Sequence, residues 1–252
     1  MSKFRVLISA VSLSLACLLA LSVQGASAAE FNSSQQKAIE KIVHDYLVKN
    51  PEVLIEAMNE LDAKQAAADQ KKQGDAIAKY HKQIFEDPTS YVAGNPKGDV
   101  TIVEFFDYHC GYCKKVFPEV QKLLKSDGNI RYVYKELPIL SPESVFAARA
   151  ALAGWKTDPA KYEALRNSLM STHGALPKER VFRLAKEAGY DTDALRKTVD
   201  SPEIQAKIKD NFNLAQTLNI RGTPAFIIGD TLVPGAVDID TLRQLVAQAR
   251  KG

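Results

Sequence analysis

Residues 100–118 read VTIVEFFDYHCGYCKKVFP: an apolar run, two cysteines separated by Gly111 and Tyr112, then a helical pattern. Val100, Ile102, Val103, Phe105 and Phe106 are almost continuously apolar. That predicts a strand covered on both faces, within a parallel or mixed sheet. After Cys113, the apolar residues Phe117, Val120 and Leu124 recur at intervals of three and four, the period of a helix with one buried face. Cys110 therefore stands at or just before a helix N-terminus. Unpaired N–H groups and the positive end of the helix dipole favour a thiolate there. Ordinary thiols titrate near about 8.5, and the first cysteines of such pairs at roughly 3.5 to 7. The two-residue spacing lets Cys113 reach Cys110, so a mixed disulfide formed at Cys110 can be resolved from within the chain.

A Cys-x-x-Cys pair is also half of a structural zinc site. Such a site needs four protein ligands, in two pairs or in one pair with two spaced histidines. The only other cysteine is Cys17, and His44, His81, His109 and His173 are scattered without ligand spacing. Redox chemistry is the better reading, with no metal and no cofactor expected.

The N-terminus sets the compartment. Lys3 and Arg5 precede an apolar run from Val6 to Leu21, and Ala26-Ser27-Ala28 follows. This is the pattern of a secretory signal peptide over residues 1–28, although the run is long enough for an uncleaved anchor. Cys17 lies inside it. Of 33 basic residues, 31 remain after cleavage against 30 acidic ones, a charge of about +1. No basic arm or patch calls for nucleic acid. A mature exported chain carrying only Cys110 and Cys113 has its thiols for chemistry, in a compartment where disulfides persist; the periplasm is expected.

Residues 29–88 read as helical. Ile39, Ile42, Val43, Tyr46 and Leu47 follow helical spacing behind Ser33 or Ser34 as a cap, and Asn50-Pro51 ends that helix. Pro51 opens a second helix with Val53, Leu54, Ala57, Met58 and Leu61 on one side. From Asp62 to Lys79 large apolar residues nearly vanish, and residues 62–88 are expected to form an exposed helical stalk or linker. An apolar face cut off by a polar spacer suits association between subunits, so residues 29–61 are expected to be an oligomerisation module, with a homotrimer favoured.

The catalytic part is expected over residues 89–252. The strand from Val100, the helix from about Gly111 to Ser126, kinked by Pro118, and a strand from Ile130 to Glu136 make a strand–helix–strand unit. A run of helices over 141–218 follows, opened by the Ser-Pro-Glu caps at Ser141 and Ser201. The chain then returns to strand at Ala225–Ile228 and Leu232-Val233, before a closing helix from about Asp238 to Arg250. A helical insert interrupting one α/β domain fits this order better than a separate helical domain. Glu104 shares a strand face with Ile102 and Phe106 at period two, which favours its burial. A buried carboxyl holds its proton more readily and can relay protons as Cys113 attacks or leaves.

This order resembles the DsbA-like branch of the thioredoxin superfamily, over roughly Tyr91 to Gly252. Glu104, six residues before Cys110, matches the superfamily's buried acid near the active site, and Pro118 its helix kink. Thr223-Pro224, in RGTPAFIIG, matches the segment whose proline is cis and faces the cysteine pair. An ordinary trans bond is the base expectation for X-Pro, so the cis form follows from the resemblance alone. A cis bond would offer the Thr223 backbone for strand-like pairing with a substrate peptide. Thr223, Pro224, Gly111, Tyr112 and His109 are the expected substrate-binding residues; a protonated His109 would also stabilise the Cys110 thiolate.

Gly111-Tyr112 is similar to the intervening dipeptide of bacterial disulfide isomerases, and Thr223 points the same way. The helical extension is similar in character to that of the suppressor of copper sensitivity C (ScsC) group. The resemblance implies a disulfide isomerase or reductase acting on misfolded or reduced exported proteins and kept reduced by a membrane-bound disulfide reductase. Three other readings fit the residues: a dithiol oxidase, a copper-tolerance protein holding Cu(I) between two soft thiolates, and an adaptor that works through its arm.

Overall fold

The computed structural model describes residues 31–251, and the expected signal peptide with Cys17 lies outside them. The chain divides into two compact units between Ala63 and Lys64. In the first, helix α1 spans Ser33–Lys49. Asn32 caps it in a reciprocal box: its side chain accepts from the Gln35 N–H at 3.0 Å, and the Gln35 side chain accepts from the Asn32 N–H at 3.0 Å. The cap is thus one residue earlier than the expected serines. Asn50 ends α1, and Pro51 precedes helix α2, Glu52–Lys79. No residue of α1 is buried. Ile42 is 67% exposed and Leu61 65%, with Val43, Tyr46, Leu54 and Met58 also open.

The second unit starts within α2, which runs unbroken through Gly74. Helix α3 is His81–Phe85, strand β1 Val92–Gly94 and strand β2 Val100–Phe106. Helix α4, Gly111–Ser126, continues through Pro118, and strand β3 follows at Ile130–Glu136. The insert comprises α5 Pro142–Thr157, α6 Tyr162–Ser171, α7 Lys178–Glu187, α8 Thr192–Thr198 and α9 Pro202–Thr217. Strands β4 Ala225–Ile228 and β5 Thr231–Pro234 and helix α10 Ile239–Ala249 complete the unit. The sheet order is β1-β3-β2-β4-β5, with β2 and β3 parallel and every other pair antiparallel. β1, which lacks a longer pattern, is added by pairing Val92–Gly94 with Val133, Tyr132 and Arg131.

β2 lies at the centre, between β3 and β4, and both its faces are covered. Ile102, Glu104 and Phe106 face α4, α10 and the insert, while Val103 and Phe105 face the opposite side. Burying Ile102, Val103, Phe105 and Phe106 contributes up to roughly 6–12 kcal/mol in all, at about 1.5–3 kcal/mol each. The second face corrects the expected stalk. Ile77, Ile84 and Phe85 are buried with Val103, Phe105, Val133 and Ile227, so the end of α2 and the end of α3 are packed against the sheet, while residues 62–72 are exposed. Ile77, Ile84 and Phe85, at intervals of seven and one, cover that face together with Leu214 and Ala215 of α9 and Leu218.

Within the insert, α5 is rich in alanine and buried along Ala147, Ala148, Ala150, Ala151 and Ala153, so its neighbours approach closely. At Gly154 a Cβ would come within 2.9 Å of the Tyr190 ring. That ring donates its O–H to the Asp158 carbonyl at 2.9 Å, which fixes α5 against the start of α8.

Candidate active site

β2 delivers the chain to the site, and Asp107 turns it. The Asp107 carboxylate is 1% exposed. It accepts the His109 N–H at 2.7 Å and, on its other oxygen, the Ile139 and Leu140 N–H groups at 3.0 and 3.1 Å. The Asp107 carbonyl accepts the Cys110 N–H at 3.1 Å. This holds the turn before the cysteines and the loop after β3 in one place.

Cys110 is the N-cap of α4, where its sulfur accepts the Cys113 N–H at 3.3 Å. Both cysteines are free thiols, and both are buried. The peptide bond before Pro224 is cis, and the Thr223 carbonyl accepts a hydrogen bond from Cys110 Sγ at 3.2 Å. A thiolate has no proton for that bond. The buried Thr223 hydroxyl, which has no other partner, is then the group left to donate to the sulfur. The Cys113 thiol is the strongest influence on Cys110 and lowers it to about 6; burial opposes it, and the N–H groups of Cys113 and Tyr112 add to it. Cys113 moves the opposite way. Burial pushes its thiol far up, and its bond to Cys110 and the nearby Glu104 charge push it further. One sulfur is therefore an anion at neutral pH and its partner a thiol.

Glu104 is 1% exposed, behind the cysteines on the core face of β2. Burial raises its carboxyl; Arg166, with Nη2 3.7 Å from Oε2, and the Tyr132 O–H, donating at 2.9 Å, pull it back. Tyr112 is 66% exposed, and Gly111 has open space where a side chain would stand. His109 departs from expectation. Its Nε2 lies 3.1 Å from Glu143 Oε2, at the start of α5, and its ring makes no hydrogen bond to Cys110. The His109 ring thus approaches the carboxylate of the insert, without the geometry of a hydrogen bond. The structure brings Cys110, Cys113, Glu104, Thr223 and Pro224 together.

A family model described as thioredoxin matches residues 86–248. The chain belongs to the thioredoxin family. A second model, described as the copper resistance protein ScsC N-terminal domain, matches residues 35–68. A thioredoxin-like oxidoreductase from Silicibacter pomeroyi DSS-3 is 47% identical with a TM-score of 0.65, covering 68% of this chain and 98% of its own. Proteus mirabilis ScsC in a transitional conformation is 33% identical with a TM-score of 0.65, over 89% of this chain and 99% of its own. This thioredoxin-family chain is therefore DsbA-like and ScsC-like. It is 26% identical to disulfide bond formation protein D of Bacillus subtilis, over 64% of this chain and 77% of that protein. It spans only 25% of the Na(+)/H(+) antiporter NhaA 1 of Salinispora arenicola, to which it is 29% identical over 64% of its own length.

Four residues at this thioredoxin-family site are not singled out by motif: Asp107, Glu136, Glu143 and Arg166. Two carry a sequence signal. Asp107 follows a strand and precedes a turn, where aspartate caps backbone N–H groups. Arg166 sits on the apolar stripe Tyr162, Leu165, Leu169 and Met170 of α6, a charge where helical spacing calls for an apolar side chain. Among the described residues, no group of three His, Cys, Asp or Glu side chains is placed to hold a metal ion, and no helix is long and apolar enough to cross a membrane.

Proposed function

We propose that this protein is a periplasmic thiol–disulfide oxidoreductase that reshuffles or reduces disulfides in exported proteins. The observation that carries the reading is the division of labour between the two sulfurs: Cys110 lowered to about 6 at the tip of α4, beside the cis Thr223-Pro224 segment, and Cys113 buried and raised behind it. Cys110 and Cys113 are the catalytic residues, and Glu104 exchanges the Cys113 proton. Thr223, Pro224, Gly111 and Tyr112 meet the substrate.

The Cys110 thiolate attacks a substrate disulfide. A Cys110–substrate bond forms, and the other substrate sulfur leaves as a thiolate. A substrate thiolate then attacks the mixed disulfide to give a new pairing, or Cys113 does so and releases the substrate reduced. In the second case Cys110 and Cys113 end as a disulfide, which a membrane-bound reductase must reduce again. A value of about 6 for Cys110 supports this direction, since it lies between roughly 3.5 for the strongest dithiol oxidase and roughly 7 for thioredoxin.

Residues 29–61 would join subunits, a trimer being favoured, and residues 89–252 form the catalytic domain with its insert at 141–218. Support comes from the open apolar side chains of α1 and early α2 and from the ScsC N-terminal domain match at residues 35–68. An oligomer presents several thiolates to one substrate, which suits isomerisation.

The test is reactivation of a scrambled multi-disulfide substrate by the chain from residue 29 onward, with glutathione present. Recovery of activity is expected, most of it lost on deleting residues 29–61 and all of it in Cys110→Ser. Rapid net oxidation of reduced peptides without reactivation would assign the dithiol oxidase direction instead.

A further inference from the structure

Three buried charged side chains on the core face of the sheet come from three elements. Glu104 from β2 is 1% exposed, Glu136 from β3 is 2% and Arg166 from α6 is 2%. In the sheet register Glu104 stands opposite Tyr134, two residues before Glu136 on the same strand. The two carboxyls therefore share one sheet face as diagonal neighbours, with Cα atoms about 7–8 Å apart. One guanidinium serves both. At neutral pH a dry site holding two carboxyls and one cation keeps a proton on one carboxyl.

Geometry decides which. The Arg166 guanidinium lies 3.4 Å from the centre of the Tyr134 ring and 5.2 Å from the Phe106 and Phe117 rings. That aromatic box points Nη2 at Glu104, at 3.7 Å, while Nε has no partner. Tyr132 donates to the same Glu104 oxygen. Glu136 has a hydrogen bond from the Tyr162 O–H and no ion pair among the described residues. The charge thus belongs on Glu104 and the proton on Glu136. The other titratable groups turned to this site are the Tyr108, Tyr132, Tyr134 and Tyr162 phenols, all held above the usual phenol range by burial, the two thiols of α4, and Lys135 and Lys207, whose charges also reach Glu136 but are paired with Asp87; β4 places Phe226 opposite Glu104.

We propose that Arg166, from the helical insert, is a positioning residue for the resolving cysteine: by holding the negative charge on Glu104 rather than Glu136, it keeps a base ready for the Cys113 proton. This rests on the exchange reading above. In the step it serves, the Glu104 carboxylate takes the Cys113 proton and Cys113 Sγ bonds to Cys110 Sγ. The Cys110–substrate bond breaks, and its electron pair leaves on the substrate sulfur as a thiolate. The arginine makes no contact with substrate, and it links the insert to the chemistry.

The experiment is stopped-flow reaction of the reduced chain with 5,5′-dithiobis(2-nitrobenzoate) across pH 5–9. The first thionitrobenzoate reports attack by Cys110, and the second reports Cys113 resolving the mixed disulfide. In Arg166→Met the midpoint of the second phase is expected to rise by about one pH unit or more, the effect of removing a cation within 4–6 Å of a carboxyl. The first phase should keep its midpoint, and Arg166→Lys should lie nearer wild type than Arg166→Met. A folded Arg166→Met with an unmoved second phase overturns the proposal, as does Arg166→Lys displaced equally far, which would trace the effect to packing. Should Arg166→Met not fold, Glu136→Gln decides: a neutral amide replaces a carboxyl that already holds its proton, so the second midpoint should stay in place, and a midpoint lowered by about one pH unit or more overturns the proposal by showing that Glu136 carried the charge. A wild-type chain that never releases the second equivalent would remove the exchange reading itself, and the proposal with it.

Discussion

Replacing Cys113 by alanine removes the strongest influence on Cys110, the thiol that donates to its sulfur, and leaves the backbone N–H at 3.3 Å in place. A weak S–H donor to an anion is worth on the order of 1.4 kcal/mol, or about one pKa unit. The Cys110 midpoint should therefore rise from about 6 in the wild type to about 7. At pH 7 the thiolate fraction would fall from roughly 90% to roughly 50%. The rate of alkylation at one pH is a poor readout. Against a thiol at about 8.5, the wild-type thiolate gains roughly 30-fold in population but loses roughly 10- to 20-fold in intrinsic nucleophilicity. The midpoint is diagnostic, so the assay is iodoacetamide alkylation, or thiolate absorbance, followed from pH 4 to 9. The same shift has a redox consequence. Lowering Cys110 from the reference value of 9.0 to about 6 stabilises the reduced pair at pH 7 by about 1.4 kcal/mol and raises its potential by about 30 mV. A wild-type midpoint at or above about 8, or one unmoved in Cys113→Ala, would refute the reasoning.

Asp87→Asn should destabilise the domain by about 3–5 kcal/mol, lowering Tm by roughly 10 °C in thermal unfolding, because fully buried Lys135 and nearly buried Lys207 lose their shared carboxylate. Burial pushes Asp87 up, but Lys135 and Lys207 more than reverse this and hold it well below the usual range; its contribution is present above the unfolded carboxyl pKa and lost as pH falls through the folded one. Lys135 is held down at about 8, chiefly by burial, so the unfolded chain binds more protons there and this group adds stability as pH rises from 8 to 10.5, readable in urea melts. Asp107→Ala leaves three N–H groups without an acceptor and should cost roughly 2–4 kcal/mol, with faster hydrogen exchange at Ile139 and Leu140. Ile42→Asp, on the open face of α1, should leave Tm of the catalytic domain unchanged while reducing the mass seen by light scattering to that of one chain; a mass equal to wild type would remove residues 29–61 as the contact between subunits.

Sequence alone determined the centre of this protein. Val100–Phe106 is apolar on both faces, so it had to be the middle of a covered sheet, and the cysteines at its end had to open the next helix; both follow from local periodicity. The run of helices over 141–218 was legible for the same reason, since apolar stripes are local, although Ser201 makes no side-chain cap where one was expected. Tertiary structure decided what local pattern does not encode. Ile77, Ile84 and Phe85 look too sparse to pack, yet with Leu214 and Ala215 of α9 and Leu218 they close the second face of the sheet, because β2, β3 and β4 present a wide apolar surface to them. His109 stands beside Cys110 in sequence, but its Nε2 comes within 3.1 Å of Glu143, 34 residues on, a contact that only the packing of the insert creates. Arg166 and Glu104 are 62 residues apart. They meet because packing of the insert brings Arg166 within 3.7 Å of Glu104, and a buried charge is tolerated only where another element brings its counter-charge.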